Sequence, residues 1–464
     1  VTSMDMASNV AFVVVCNPEN RRFEFFRAAL ERFNVLEPRV VSYTELLQCE
    51  QRESQFNWSE LLQRHEGTAV VVRFESPGEN HFVENGFIAA GAQEAARERE
   101  GGSVAMCCSA DDGLALVEDK GRVRYMRQWF LGYRRLLLKW RDEMLAVRSG
   151  LVFMNSADDI VVAFDKLETH RRLVEHGIPC APALPGVTDY LSLRKAMAAN
   201  GWTRVFVKPR HGSSASGVIA YQHNGREIAI TSMEIERTRG QLNLYNSLKL
   251  RRYTERHDIE TVVNAVAAEG CVVELWLPKA RQQGREFDLR VVTINGQPRH
   301  FVLRCANKGP ITNLHLGNAR GDADTFLRLV PRQGWTALLL GCQRVARAFP
   351  DSLYLGIDVC LSPRATEFHI IEVNAFGDLL PRIVCEELNT YEFTVRECLR
   401  RLEPTTSDEA EEVTVRDGEE MSEMKADDDR RAESRGTEEA LPDAAPVVNV
   451  ISPVDDVKRP RCEQ

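Results

Sequence analysis

The 464-residue sequence has no apolar run near the ~20 residues that a membrane-spanning helix needs. Its first residues, Val1-Thr2-Ser3-Met4-Asp5, lack the basic opening and apolar core of a signal peptide. Both absences point to a cytoplasmic protein with no membrane partner. Twelve cysteines occur, but no CxxC and no Cys/His cluster at zinc-ligand spacing. A zinc module is thereby excluded, and reduced, buried thiols are the expectation. Adjacent Cys107 and Cys108 invite a redox reading, but neighbouring side chains rarely join in a disulfide. No Gly-Lys-Ser/Thr closes a Walker A loop, and no internal repeat is visible.

Acidic charge is present, but unevenly placed. The formal net charge is −9. Residues 403–464 hold 19 acidic and 8 basic residues, net −11, which leaves 51 basic and 49 acidic in the remaining 402. The acidity therefore belongs to a tail and the body is close to neutral. A nucleic-acid partner usually selects for excess Lys and Arg, which argues against one here, although weakly once the tail is set aside. The tail has no aromatic residue and can bury little, so disorder is its default.

Along the body, short valine-rich runs alternate with helical patterns. Val10–Val15, Arg39–Ser42 and Ala69–Arg73 read as strands and Arg21–Arg32 as a helix, which implies a small parallel α/β domain. Tyr125–Val147 carries Trp129, Tyr133, Leu137 and Trp140 at helical spacing, as in a connecting helix packed on one face. Its arginines suit a solvated face or a polyanion. A second α/β region covers 151–402, with strands at Arg204–Val207, Cys271–Leu275, Arg290–Ile294, Arg299–Arg304, Leu355–Leu361 and Glu367–Val373. Asn295-Gly296 between two of these is a strong hairpin signal. Residues 227–267 read as helix-like and charged.

Chemistry gathers in three clusters. In Lys208-Pro209-Arg210-His211-Gly212-Ser213-Ser214-Ala215-Ser216-Gly217-Val218, a strand delivers a lysine and small residues follow. A fixed positive charge and approachable backbone N–H groups suit a triphosphate; a plain hairpin turn has the same composition. The second cluster sets acids in apolar strands, Asp358 in Gly356–Val359 and Glu372 with Asn374 in Ile370–Asn374. A carboxylate in such a place needs a partner or a metal. Glu372 and Asn374, two apart, share a face and offer oxygens to a hard cation, to which Asp358 on a neighbouring strand adds a third. A partly exposed polar sheet face is the alternative. The third cluster runs from Val272-Val273-Glu274-Leu275-Trp276-Leu277-Pro278 to Glu286-Phe287-Asp288-Leu289-Arg290. A strand ending at Pro278 can expose backbone groups to an adenine edge. Arg290 and Arg304 on paired strands can face a transferring phosphate, or be surface cations.

In this order the clusters resemble the ATP-grasp superfamily. Asp165-Lys166 with Gly177-Ile178-Pro179-Cys180-Ala181-Pro182 looks like its entry segment, and Lys208–Val218 like its second lysine and phosphate-covering loop. Asp288-Leu289-Arg290 with Thr312-Asn313-Leu314-His315 is similar to RimK-like ligases, and the whole body to bacterial ATP-grasp proteins of undefined substrate. The resemblance covers about 151–400. It departs from the pattern at Ile311-Thr312-Asn313, where RimK-like enzymes have Arg-Ser-Asn; Lys308 or Arg304 would have to substitute. It departs again at Ala375-Phe376-Gly377-Asp378, where the family has Ala-Ser-Pro-Gly beside the acceptor.

The resemblance implies an α/β, three-domain ATP-grasp architecture. Its parts are an N-terminal domain (1–150), a central lid (151–273), a C-terminal domain (274–402) and the disordered tail (403–464). It implies an ATP- and Mg²⁺-dependent carboxylate–amine or carboxylate–thiol ligase working through an acylphosphate. Two ions are expected, with Mn²⁺ as a substitute. Lys166 and Lys208 would hold α- and β-phosphates, under the loop Gly212, Ser213, Ser214, Ser216 and Gly217. Glu274 and the backbone of Trp276 and Leu277 would take adenine, and Asp288 the ribose or a nearby group. Asp358, Glu372 and Asn374 would ligate Mg²⁺; Arg290, Arg304 and Asn313 would steady the γ-phosphate. The partners would be small-molecule or peptide carboxylates and amines, with homo-oligomers common among relatives. Arg73-Phe74-Glu75-Ser76-Pro77-Gly78, beyond a strand of the first domain, is a candidate acceptor site. Phosphotransfer without ligation and a non-catalytic nucleotide-binding regulator remain as other readings.

Overall fold

The N-terminal valine run becomes β1 (Val10–Cys16), with all seven residues buried. The computed structural model describes residues 9–62, 68–212, 215–238, 241–376 and 380–403. An unbroken apolar strand is what a parallel sheet covered on both faces requires. β1 pairs in parallel with β2 (Arg39–Ser42) and β3 (Ala69–Phe74), and β3 with β4 (Val152–Phe153), in the order β2-β1-β3-β4. Helix α1 (Arg21–Arg32) begins where the Asn20 side chain accepts from the Arg22 N–H.

Two long helices, α2 (His81–Glu100) and α3 (Met126–Val147), cross at backbone contact. A Cβ on Gly91 would strike the Gln128 carbonyl, and one on Gly132 the Phe87 carbonyl. α3 is the expected connecting helix, with Tyr133, Leu137 and Trp140 buried. Three of its four arginines are answered by carboxylates: Arg127 by Glu98, Arg134 by Glu94, Arg141 by Asp158. The fourth, Arg135, is exposed, so most of this charge is satisfied within the fold.

Helix α4 (Lys166–Glu175) leads to an antiparallel sheet. Its strands are β5 (Ala183–Leu184), β6 (Arg204–Pro209), β7 (Ile219–Asn224), β8 (Arg226–Thr238), β9 (Gln241–Tyr253) and, after helix α5 (Arg256–Ala268), β10 (Cys271–Leu275). Their order is β5-β10-β6-β7-β8-β9. The expectation of helix over 227–267 fails for its first two thirds. β8 and β9 form a long hairpin, and helix starts only at Arg256. The buried positions Ala229, Thr231 and Met233 have period two, and the β-branched Ile228, Ile230 and Ile235 suit a pleated strand. Dense charge between them imitates a solvated helix.

The last sheet holds β11 (Arg281–Gln282), β12 (Arg285–Ile294), β13 (Gln297–Cys305), β14 (Ala319–Arg320), β15 (Tyr354–Leu361) and β16 (Phe368–Asn374). Its order is β14-β13-β12-β15-β16, with β11 on β12. Asn295 and Gly296 make the expected two-residue turn, with φ of 50° and 76° and Ile294 opposite Gln297. Helix α6 (Arg332–Ala348) packs on β12 and β13, and helix α7 (Thr390–Arg401), opened by an Asn389 capping box, on α1. Arg32 and Glu392 join those two helices at 2.7 Å.

The first sheet includes β4, just after residue 150, and the central sheet includes β10, which runs to Leu275. Among the described residues no helix is long and apolar enough to cross a membrane. All but the first residue of the acidic tail, 404–464, lies outside the described residues.

Candidate functional site

An open cleft with a cavity of about 110 Å³ lies between the central and C-terminal sheets. Its lining includes the apolar side chains of Ala181, Phe206, Val218, Leu275, Leu277 and Ile371. It also includes Lys166, Lys208, Lys279 and Arg304 together with Glu274, Asp288, Asp358 and Glu372. Four cations thus face four carboxylates.

Strand β6 delivers Lys208 because the alternation Phe206-Val207-Lys208 points Val207 into the core and its neighbours to the cleft. The register sets Glu274 of β10 opposite Phe206, so Lys208 Nζ reaches Glu274 Oε2 at 2.6 Å. Lys166 opens α4, where Asp165 caps the helix by accepting from the Leu167 and Glu168 N–H groups. From there Lys166 Nζ donates to the Gly212 carbonyl at 2.5 Å and meets Glu372 Oε1 at 3.0 Å.

On the facing sheet, Asp358 stands opposite Glu372 across β15 and β16. Arg290 sits opposite Asp358 on β12 and clamps it through Nε and Nη2. Arg304 bridges Asp358, at 3.1 Å, and Asp288, at 2.7 Å. Asp288 also takes Lys279 at 3.3 Å and the Thr312 hydroxyl. Burial alone would raise both the Asp288 and the Glu372 carboxyls. Arg304 and Lys279 hold Asp288 well below the usual range, and Lys166 and Lys208 hold Glu372 below it. Asp288 and Asp358 likewise outweigh burial and raise the Arg304 guanidinium.

Not every expected residue stands as expected. Asp288 is 3% exposed and holds three partners, Arg304 on Oδ1 and Lys279 and Thr312 on Oδ2, so within the fold it anchors Arg304. The Trp276 N–H donates to the Arg204 carbonyl and its ring packs on Phe206, so only its carbonyl remains for an adenine edge. The Asn313 side-chain oxygen caps a short turn at the His315 N–H, although Asn313 lines the cleft. Of the two residues considered for the missing arginine, Lys308 is exposed and Arg304 lines the cleft. Gly212 and Ser216 line the cleft. Gly217 has φ +72° and a Cβ there would lie 2.7 Å from Pro209 Cγ, so the turn requires glycine. Ser213 and Ser214 lie outside the described residues. Sequence reasoning missed Lys279 and Thr312; a lysine directly after the Pro278 strand end was the available signal for the first.

The acceptor expectation at Arg73–Gly78 is corrected. Arg73 and Glu75 are 1% and 2% exposed and paired at 2.7 Å, with Phe26, Tyr354 and Tyr391 around the guanidinium. Both charges are spent on each other inside the core.

Asp358 and Glu372 stand opposite each other in the cleft where the cation was expected. Asn374 shares their face, its amide donating to the Gly356 carbonyl at 3.2 Å. Among the described residues no three His, Cys, Asp or Glu side chains form a metal-holding group. A set this sparse fits a hard cation that draws its remaining oxygens from phosphates and water.

Residues 161–378 match the YheC/D like ATP-grasp family, just under half of the chain. This segment is an ATP-grasp domain. The RimK-like similarity rests on the short motifs alone. Among solved structures, the chain is similar to D-cycloserine synthetase DcsG, at 12% identity over 84% of this chain and 100% of that one, TM-score 0.45. It is also similar to the ATP-grasp ligase PsnB complexed with minimal precursor, at 16% identity over 79% and 91%, TM-score 0.41. A third is N5-carboxyaminoimidazole synthase from Aspergillus clavatus in complex with ADP, at 12% identity over 86% and 78%, TM-score 0.44. The chain matches no curated protein.

Proposed function

We propose that the protein is an ATP- and Mg²⁺-dependent ligase that joins a carboxylate to an amine through an acylphosphate. The observation that supports this most is the charge-balanced cleft of its ATP-grasp domain, four cations interleaved with four carboxylates and apolar side chains in the same lining. A nucleoside triphosphate with two divalent cations is neutral as a set. Lys166 and Lys208 can turn from Glu372 and Glu274 to phosphate oxygens, freeing Glu372 for the cation without changing the charge of the cleft. Mg²⁺ held by Asp358, Glu372 and Asn374 would neutralise phosphate charge and favour departure of the γ-phosphoryl group.

The residues divide the work by position. The apolar part of the lining takes the base, with Leu277 and the Trp276 carbonyl at its edge. Gly212, Ser216 and Gly217 bring backbone close to the phosphates. Arg304, held from both sides by Asp288 and Asp358, keeps a fixed charge where the transferring group passes, and such preorganised charge is worth about 3 kcal/mol of barrier. Arg290 holds Asp358 in place. The substrate carboxylate attacks the γ-phosphorus and ADP leaves; the amine then attacks the acyl carbon, phosphate leaves, and a proton is lost from nitrogen.

ADP release is to be screened over carboxylates, amines and peptides, with hydroxylamine as a trap and product masses read. A hydroxamate appearing with ADP is the expected result. ADP with a phosphorylated hydroxyl and no hydroxamate would move the protein to phosphotransfer. Nucleotide binding with no ADP from any acceptor would move it to regulation.

A further inference from the structure

The loop after β6 is held at both described ends by groups that lead to the N-terminal domain. At its start, His211 stacks on Phe130 of α3 with ring centroids 3.9 Å apart. Its Nε2 lies 3.2 Å from Arg127 and 3.3 Å from Asp165. Glu269, just past α5, accepts from the Arg127 N–H at 2.8 Å and the Met106 N–H at 3.1 Å. It thereby caps the first turn of α3, whose own N-cap residue makes no side-chain bond.

At the other end, Ser232 Oγ lies 3.2 Å from the Ala215 carbonyl and 2.5 Å from Asn246 Oδ1. One hydroxyl proton cannot serve two acceptors. Turning the Asn246 amide over resolves this: its nitrogen donates to Ser232, and Ser232 donates to Ala215. Ser232 is fully buried beside a bulge in β8. Asn246 lies on β9, the edge strand of the central sheet. Its backbone N–H donates to the Gly121 carbonyl at 2.6 Å, and the Val123 N–H donates to the Leu244 carbonyl at 2.9 Å. Arg122 and Tyr245 form the bridge between these bonds. Gly121 has φ +82°, and a Cβ there would sit 2.8 Å from the Asn246 carbonyl oxygen, so the contact admits only glycine.

We propose that Gly121, Asn246 and Ser232 form a positioning relay, by which the N-terminal domain sets the backbone at Ala215 for contact with nucleotide phosphates. An edge strand needs only to be covered to be protected. Here the covering segment is joined through one amide and one hydroxyl to the loop that borders the cleft. The relay rests on the nucleotide reading above and assigns residues outside the cleft to it.

The test measures calorimetric Kd values for Mg²⁺-AMPPNP and for adenosine, with thermal unfolding alongside, in Ser232→Ala, Gly121→Ala and the double variant. Each single change should weaken Mg²⁺-AMPPNP about tenfold, the worth of one buried hydrogen bond, and leave adenosine within about twofold. The double variant should bind no worse than the weaker single, because the two act in series. Ser232→Ala removes one oxygen only and carries the test if Gly121→Ala does not fold. Unchanged Mg²⁺-AMPPNP affinity in the singles, equal losses for both ligands, or additive losses would overturn the relay. A wild-type protein that binds neither ligand would instead overturn the nucleotide reading and the relay with it.

Discussion

Replacing Arg304 by alanine tests whether its guanidinium is structural as well as chemical. Arg304 is 8% exposed, and the carboxylates it joins, Asp288 and Asp358, are 3% and 4% exposed. Its removal takes one cation from each. Breaking a buried ion pair by deleting one partner costs about 3–5 kcal/mol, because the other charge stays buried. Asp288 keeps Lys279 and Thr312, and Asp358 keeps Arg290, so the low end applies, about 3 kcal/mol. Urea unfolding at pH 7 followed by tryptophan fluorescence reads the loss directly. Arg304→Ala with Asp358→Asn should recover about 1 kcal/mol of it, since the uncompensated charge is removed as well. The deficit should also shrink in acid. Arg304 depresses the folded Asp288 carboxyl, whose stabilisation is present above its unfolded value near 3.8 and is lost as pH falls below it. A loss under about 1 kcal/mol, or one independent of Asp358, would refute the pairing argument. It would return Arg304 to a purely kinetic role.

Glu372→Gln keeps size and removes the charge that Lys166 holds at 3.0 Å; Mg²⁺-dependent nucleotide affinity should fall on the order of a hundredfold, and an unaltered metal titration would remove Glu372 from the ligand set. Burial pushes His211 and His300 down to about 4 from 6.5. Both are therefore neutral when folded and protonated when unfolded between those values, so their contribution is complete above pH 6.5 and falls as pH drops from 6.5 to 4; the Glu84 carboxyl, which burial pushes up to about 7, opposes the two histidines only in part. Denaturant midpoints at half-unit steps check this; a flat profile contradicts it. Arg73→Met strands Glu75 in the core and should cost about 3 kcal/mol or more, largely recovered by adding Glu75→Gln. No recovery in the double variant would show that the aromatic packing around Arg73, and not the charge, carries the loss.

Legibility followed periodicity and chemistry. β1 was readable from its buried valine run, and the strands through Lys208, Asp358 and Glu372 because apolar neighbours bracket the charged residue in each. The Asn295-Gly296 turn was readable because its positive φ values demand those residues. The β8–β9 hairpin was not. Its outward charges at alternating positions overlap with helical spacing, and the inner face uses Ala229, Thr231 and Met233 in place of a clean aliphatic set. Arg73–Glu75 was misread for a related reason. A charged pair past a strand end looks like a ligand site until Tyr354 and Tyr391, some 280 and more residues away in sequence, are seen to close over it.

The cleft itself shows what residue types and order leave undetermined. From sequence, Lys166, Lys208, Arg290 and Arg304 form one class, for phosphate, and Asp358 and Glu372 another, for metal. The sheets merge the classes: Glu372 answers Lys166, Glu274 answers Lys208, and Asp358 answers both arginines. Four unopposed cations this close would repel one another, and the carboxylates, three buried and Glu372 half-buried, would take up protons. Interleaving avoids both, and it makes the exchange of partners on nucleotide and metal binding nearly neutral in charge. The two sets therefore cannot be varied separately. A substitution on either side changes the protonation and the reach of its partner, which is why Glu372→Gln is to be read together with the phosphate contact proposed for Lys166, and Arg304→Ala together with Asp288 and Asp358.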